Sequence, residues 1–134
     1  MPPIARCLVA DDDPDLLEMV ARVIEGLGAE VVRARDGNEL LDGLAHGGDF
    51  DVVVTDVSMP WMTGPQALNF AQTAGHRTRV IVITASREPW IPDQVRALGD
   101  DAHLLQKPFS RDQLCALLEE KLGAATAERA RLRA

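Results

Sequence analysis

Asp51-Val52-Val53-Val54-Thr55-Asp56-Val57-Ser58-Met59-Pro60 passes from an acid through an apolar run to a second acid. A carboxylate at the end of a buried strand, here Asp56, is costly unless it has a partner or chemistry to perform. Three other apolar runs end in a polar residue. Cys7-Leu8-Val9-Ala10 leads into Asp11-Asp12, Val80-Ile81-Val82-Ile83 into Thr84, and Leu104-Leu105-Gln106 into Lys107, which precedes Pro108. In an open parallel sheet, ligands bind beyond the carboxyl ends of the strands, where strand order reverses. The acid pair, the acid, the hydroxyl and the amine are therefore expected to converge on one site.

Strand patterns fall at 5–10, 30–34, 51–55, 79–84 and 102–106, and helical patterns follow at about 14–26, 38–46, 65–74, 92–98 and 110–122. Repeated strand–helix units joined by short links predict an α/β fold, a parallel sheet with helices on both faces. Asp13-Pro14 reads as an N-cap followed by proline at the first helical position. Leu16, Leu17, Val20, Val23, Ile24 and Leu27 form an apolar stripe at helical spacing, closed by Gly26 and Gly28. Asp36-Gly37-Asn38 turns into the second helix, where Leu40, Leu41 and Leu44 face the core. Gly64-Pro65 opens the third. Ser110-Arg111-Asp112-Gln113 is a capping box for the last, whose stripe is Leu114, Leu117, Leu118 and Leu122.

The 134 residues fit one domain with one sizeable core. The 14 basic and 21 acidic residues give a net charge of −7, which argues against non-specific nucleic-acid binding and against an anionic membrane surface. No apolar run approaches membrane-spanning length, and the first residues carry no signal-peptide pattern. Cys7 and Cys115 read as small hydrophobes, so a reducing cytoplasm is the expected location. His46, His76 and His103 have no metal-ligand spacing. Met59 and Met62 read as packing residues, and Trp61 and Trp90 as loop anchors or part of a docking face.

Three carboxylates gathered at one site repel one another and call for a cation. Mg²⁺ suits them, because it takes one or two carboxylates, keeps waters and binds phosphate oxygens. With it, Asp56 is placed to act as a nucleophile towards a phosphoryl group. Phosphoryl transfer needs chiefly positioning and charge neutralisation; the Lys107 amine and the Thr84 hydroxyl supply further contacts.

Leu8-Val9-Ala10-Asp11-Asp12-Asp13-Pro14, Val54-Thr55-Asp56-Val57-Ser58-Met59-Pro60 with Gly64, Val82-Ile83-Thr84-Ala85, and Lys107-Pro108-Phe109 together resemble the CheY-like receiver domain of two-component response regulators. The resemblance covers residues 4 to about 122. It implies a doubly wound, five-stranded, flavodoxin-like (β/α)5 sheet of order 2-1-3-4-5. It also implies roles: Asp56 as phosphoacceptor, Asp12 as principal Mg²⁺ carboxylate with Asp11 helping, and the backbone carbonyl of Ser58 as a further metal ligand. Thr84 matches the hydroxyl that turns inward on phosphorylation. Lys107 matches the phosphoryl-contacting lysine, and its bond to Pro108 the family's cis peptide. The implied partners are a histidine kinase or phosphotransfer protein and an output domain or effector. The expected function is a signalling phospho-switch with self-catalysed phosphoryl transfer, not a turnover enzyme.

Three departures stand out. Leu104 occupies the place of the family's Tyr or Phe, and the chain has no tyrosine. The stretch from Thr84 to Lys107 is about a residue longer than the family's usual spacing, so the fourth helix is expected to start late or sit differently. Trp61 replaces a frequent glycine. A haloacid-dehalogenase-type phosphatase is the alternative reading, but it needs an acid two residues after the nucleophile, where this chain has Ser58. A flavodoxin needs a hydroxyl-rich loop where this chain has three acids, and the intact acid–Thr–Lys set argues against a pseudo-receiver. Residues 1–123 are expected to form the receiver domain, standing alone or as the N-terminal part of a longer protein. Residues 124–134 are expected to form a C-terminal helical extension or linker that continues the last helix. Leu118, Leu122, Ala125 and Leu132 sketch a heptad-like seam interrupted by Arg129, so the tail is expected to be a connector or homodimer contact, against the alternative of a frayed end.

Overall fold

The computed structural model describes residues 5–58, 66–69 and 78–133. Five parallel strands, β1 (Arg6–Ala10), β2 (Glu30–Ala34), β3 (Val52–Asp56), β4 (Arg79–Thr84) and β5 (Ala102–Gln106), form one sheet of order β2-β1-β3-β4-β5. The helices are α1 (Pro14–Gly26), α2 (Gly37–His46), α3 (described over 66–69), α4 (Trp90–Ala97) and α5 (Arg111–Arg133). The order expected from the resemblance is the one found. After β2 the chain crosses back over β1 to form β3, so strand order reverses between β1 and β3, and ligand sites of open sheets form at such a point. Among the described residues, no helix is long and apolar enough to cross a membrane.

Side-chain alternation along the strands builds two cores. Leu8, Ala10, Val53, Val80 and Val82 face α2, α3 and α4, where they meet Leu40, Leu44, Leu68, Ile91 and Val95. Cys7, Val9, Val52, Val54, Ile81 and Ile83 face α1 and α5, meeting Leu17, Val20, Ile24, Leu114 and Leu118. A strand buried on both faces must be apolar at consecutive positions, which is why these runs do not alternate with polar residues. The stripe assigned to α1 is the one buried, with Leu16 and Leu27 at its margin.

Local chemistry fixes the helix starts. Asp13 accepts from Asp15 N at 3.0 Å and Leu16 N at 3.4 Å, and Asp36 accepts from Glu39 N at 2.8 Å. The Ser110–Gln113 box closes in both directions, at 2.8 and 3.0 Å. Gly28, at φ 90°, takes the left-handed position after α1 that side chains avoid.

Several boundaries differ from the sequence expectation. α4 starts earlier than expected, at Trp90, with Pro92 inside its first turn. The first helical N–H groups have no intrahelical acceptor, so proline is tolerated there. β3 ends on Asp56 itself, not before it. The helical continuation expected of the tail is found, with α5 running through Gly123 to Arg133. The expected opening of the third helix at Gly64-Pro65, and the readings of Met59, Trp61, Met62 and His76, lie outside the described residues.

The tail is docked on the body at least as far as Glu128. Ala125 is 2% exposed and Lys121 4%, and Arg79 Nη2 lies 2.7 Å from Glu128 Oε2. Leu118 and Ala125 therefore serve the domain's own packing, and the seam read from the sequence is partly used up inside the molecule.

Candidate functional site

The carboxyl ends of β1, β3, β4 and β5 carry the residues singled out above. Asp11 follows β1 directly. Its N–H donates to Ala34 O at 3.1 Å, so the backbone stays tied to β2. Its side chain, 4% exposed, accepts from Asp13 N at 2.9 Å. Burial pushes the Asp11 carboxyl up to about 6; the Asp13 N–H opposes this, and the charge of Asp56 adds to it. Asp12 is exposed beside it.

Asp56 closes β3, whose pairing sets Ala10 opposite Thr55 on one side and Ile83 opposite Asp56 on the other. Its Oδ2 lies 3.7 Å from Lys107 Nζ, and its Oδ1 accepts from Ser58 N at 3.4 Å. Burial raises its pKa as well, while the Lys107 ammonium pulls it down. Carboxyl oxygens of Asp11, Asp12 and Asp56 lie within 4.8 Å of one another. Octahedral Mg²⁺, with bonds of about 2.1 Å, needs oxygens no more than about 4.2 Å apart, so small side-chain rotations suffice to accommodate it. The donor set is all oxygen, as a hard cation requires. Two of the three carboxyls are already strained towards the neutral form by burial, a cost that a cation removes.

Thr84 ends β4 and is 1% exposed. Its hydroxyl oxygen accepts from Ser86 N at 2.9 Å, so the hydroxyl is engaged by the loop after its own strand. Lys107 follows β5 through a backbone hydrogen bond to Thr84 O at 2.7 Å, and its peptide bond to Pro108 is cis. The acid pair, Asp56 and Lys107 are thus brought together. Thr84 stands at the same edge with its hydroxyl turned to Ser86. The backbone of Ser58 folds back on Asp56 through its N–H.

Two features were missed in the sequence. Gln106 Nε2 donates to Thr84 O at 3.0 Å and to Ser86 O at 3.4 Å. A polar residue closing an apolar strand was the available signal. Beside the acids, a cleft of about 770 Å³ is lined by residues that include Asp11, Asp12, Glu18, Arg33 and Arg35. Arg33 is held there by Glu18 and Glu25 of α1, at 3.0 and 3.1 Å.

Known proteins of similar sequence and shape share this plan. The response regulator MprA of Mycolicibacterium vanbaalenii is 33% identical over 122 residues, covering 90% of this chain and 52% of that protein. The chain spans about half the length of the curated relatives it matches. A CheY-like response regulator receiver domain protein of Methanospirillum hungatei superposes with a TM-score of 0.84 at 25% identity, covering 94% of this chain and 99% of that one. The chemotaxis response regulator CheY4 of Vibrio cholerae gives a TM-score of 0.73 at 30% identity over 89% of this chain and 99% of its own. These relatives lend no support to the haloacid-dehalogenase-type alternative. The family model of the response regulator receiver domain matches residues 7–119. With that match spanning all five strands and every residue of the acidic cluster, the chain belongs to the receiver-domain family of response regulators, and is a signalling protein.

Proposed function

We propose that Asp56 accepts a phosphoryl group and that its phosphorylation switches the domain between two signalling states. The observation that carries this reading is the cluster of Asp11, Asp12 and Asp56 oxygens facing the single Lys107 amine at one sheet edge. Asp12, with Asp11 and the Ser58 carbonyl, would hold Mg²⁺. That ion supplies neutralisation of the carboxylates and of the incoming phosphoryl oxygens. An Asp56 oxygen attacks phosphorus in line. The new O–P bond forms as the donor's P–N or P–O bond breaks, and the bonding pair leaves with the donor, which takes up a proton. Lys107 Nζ, already 3.7 Å from Asp56, moves onto a phosphoryl oxygen. The Thr84 hydroxyl donates to another once it turns inward. Hydrolysis of the acyl phosphate resets the site.

The phosphodonor in this reading is a histidine kinase or a phosphotransfer protein in the cytoplasm, and the recipient of the signal is an output domain or effector protein. Relatives named as transcriptional regulators support an output of that kind. Residues 1–123 form the receiver unit, and 124–134 continue α5 as a connector or homodimer contact. The test is intact mass after incubation with Mg²⁺ and a small phosphodonor such as acetyl phosphate. One phosphoryl group is expected on the wild type and none on Asp56→Asn. Equal incorporation in both would overturn the assignment.

A further inference from the structure

We propose that Gln106 is a positioning residue of this site: its side-chain amide latches the loop after β4 and holds the Thr84 hydroxyl in its resting place. This inference rests on the reading of Asp56 as phosphoacceptor and concerns what restrains its partner.

The geometry comes from strand register. Thr84 pairs with Gln106 across β4 and β5. Alternation along β5 puts Gln106 on the same face as Ala102 and Leu104, which pack against the core beneath α4. From there Nε2 reaches two backbone carbonyls, Thr84 O at 3.0 Å and Ser86 O at 3.4 Å. The amide therefore grips the chain on both sides of Ala85. Between those points, Ser86 N donates to Thr84 Oγ1 at 2.9 Å. For the Thr84 hydroxyl to reach a phosphoryl group on Asp56, it must leave Ser86 N. That N–H then needs another acceptor, and the loop must shift to find one. Gln106 resists the shift because moving Ser86 breaks the longer of its two hydrogen bonds. The latch stabilises the resting arrangement only, so it biases the two-state equilibrium against the phosphoryl-bound state.

Leu104, two residues earlier on the same face, has no polar group with which to take part. The polar link between the sheet edge and the loop leading into α4 falls to Gln106. Ser86, its carbonyl held by that link and its N–H by Thr84, begins a stretch that runs through Glu88, whose N–H donates to Ser86 Oγ at 3.3 Å, to the first turn of α4. A release at Thr84 is thereby passed to the start of α4.

The test is the affinity of the full chain for beryllofluoride in the presence of Mg²⁺, by titration calorimetry, with urea unfolding run alongside. Gln106→Leu removes both donors at similar volume and is expected to raise affinity about threefold to tenfold, the factor that one ordinary hydrogen bond commands. Gln106→Asn keeps the amide but falls a methylene short, and should raise affinity in the same direction if Gln106→Leu folds poorly. In a Thr84→Val background, the same Gln106 substitutions are expected to change affinity by less than about twofold, because the latched hydroxyl is gone. Unchanged or weakened affinity in both Gln106 variants would overturn the proposal. So would a gain of equal size with and without the Thr84 hydroxyl, since a merely structural amide would act independently of it. If the wild type binds no beryllofluoride, or Asp56→Asn binds it as well, the phosphoacceptor reading itself falls and takes the latch with it.

Discussion

The two ends of the sheet use the same kinds of residue to opposite effect. At the amino ends of the strands the charges of Arg6, Arg79 and Lys121 each have a partner. Arg6 N donates to Asp51 Oδ2 at 2.9 Å while its guanidinium reaches Asp49 O and lies 4.7 Å from the centre of the Phe50 ring. Arg79 pairs with Glu128. The buried Lys121 ammonium donates to Asp101 O at 2.6 Å and lies 2.7 Å from His103 Nδ1. At the carboxyl ends, three carboxylates gather within 4.8 Å of one another, and among the described residues Lys107 forms its ion pair with Asp56 alone, at 3.7 Å. The first arrangement holds α5 and the loops in place. The second stores repulsion that a cation and a phosphoryl group relieve. Charge number does not separate a binding site from a structural network; incomplete pairing does.

Three measurements break or sharpen that contrast, beginning with the largest effect. Asp11 has its folded pKa raised to about 6, from 3.8. Below its unfolded pKa the carboxyl is neutral in both states and its contribution to stability is fully present. Between pH 3.8 and about 6 only the unfolded state ionises freely, so this contribution is progressively lost and is gone once pH has risen through the folded pKa. The ion-free protein should lose on the order of 2 kcal/mol between pH 4 and pH 7 from this group. Urea unfolding of Asp11→Asn should show a flatter profile over that window, and saturating Mg²⁺ should restore stability to the wild type at pH 7. A slope that is the same in Asp11→Asn would place the strain elsewhere.

At the other end, Lys121→Ala should cost about 2 kcal/mol by urea unfolding, through lost stem packing and loss of the charged donor to the Asp101 carbonyl, which keeps the Val80 N–H. Lys121→Met keeps the stem and removes the buried ammonium, whose pKa is lowered by burial, and should cost less than half as much. Equal losses would mean that the ammonium, not the stem, holds α5.

The smallest effect compares neighbours. Asp12→Ala should weaken Mg²⁺ binding about tenfold, ~1.4 kcal/mol, while slightly raising ion-free stability. Asp13→Ala should cost about 1 kcal/mol of stability through the lost cap and leave Mg²⁺ affinity nearly unchanged. Calorimetry and unfolding on the same two variants read both, and the reverse ranking would move the metal carboxylate to Asp13.

The strand ends were legible because each signal is local: an apolar run, then one polar residue. The caps at Asp13, Asp36 and Ser110 were legible for the same reason, since a cap reaches only two or three residues along the chain. What stayed hidden joins distant positions. Gln106 reaches loop carbonyls 20 and 22 residues away, and Arg79 meets Glu128 across 49. Lys121 sits in Glu119-Glu120-Lys121, which reads as a solvated face, yet its amine is buried because α5 crosses the start of β5 there. The start of α4 was misplaced because Pro89 and Pro92 both look like barriers, and only the first lies outside the helix.

That same α4 differs from α1, α2 and α5 in how it begins. The other three are closed by Asp13, Asp36 and Ser110, whereas Pro89 precedes α4 and gives no side-chain hydrogen bond. It is also eight residues long, too short to hold its shape without the sheet beneath it. The sheet separates its apolar contacts from the layer of α1 and α5. Opening α4 therefore exposes one layer and leaves the other closed, which makes it a local opening unit well below the global unfolding free energy. Amide protons of α4 should exchange with solvent sooner than those of α1 or α5, and the segment that gives way most readily lies next to the loop that Thr84 starts.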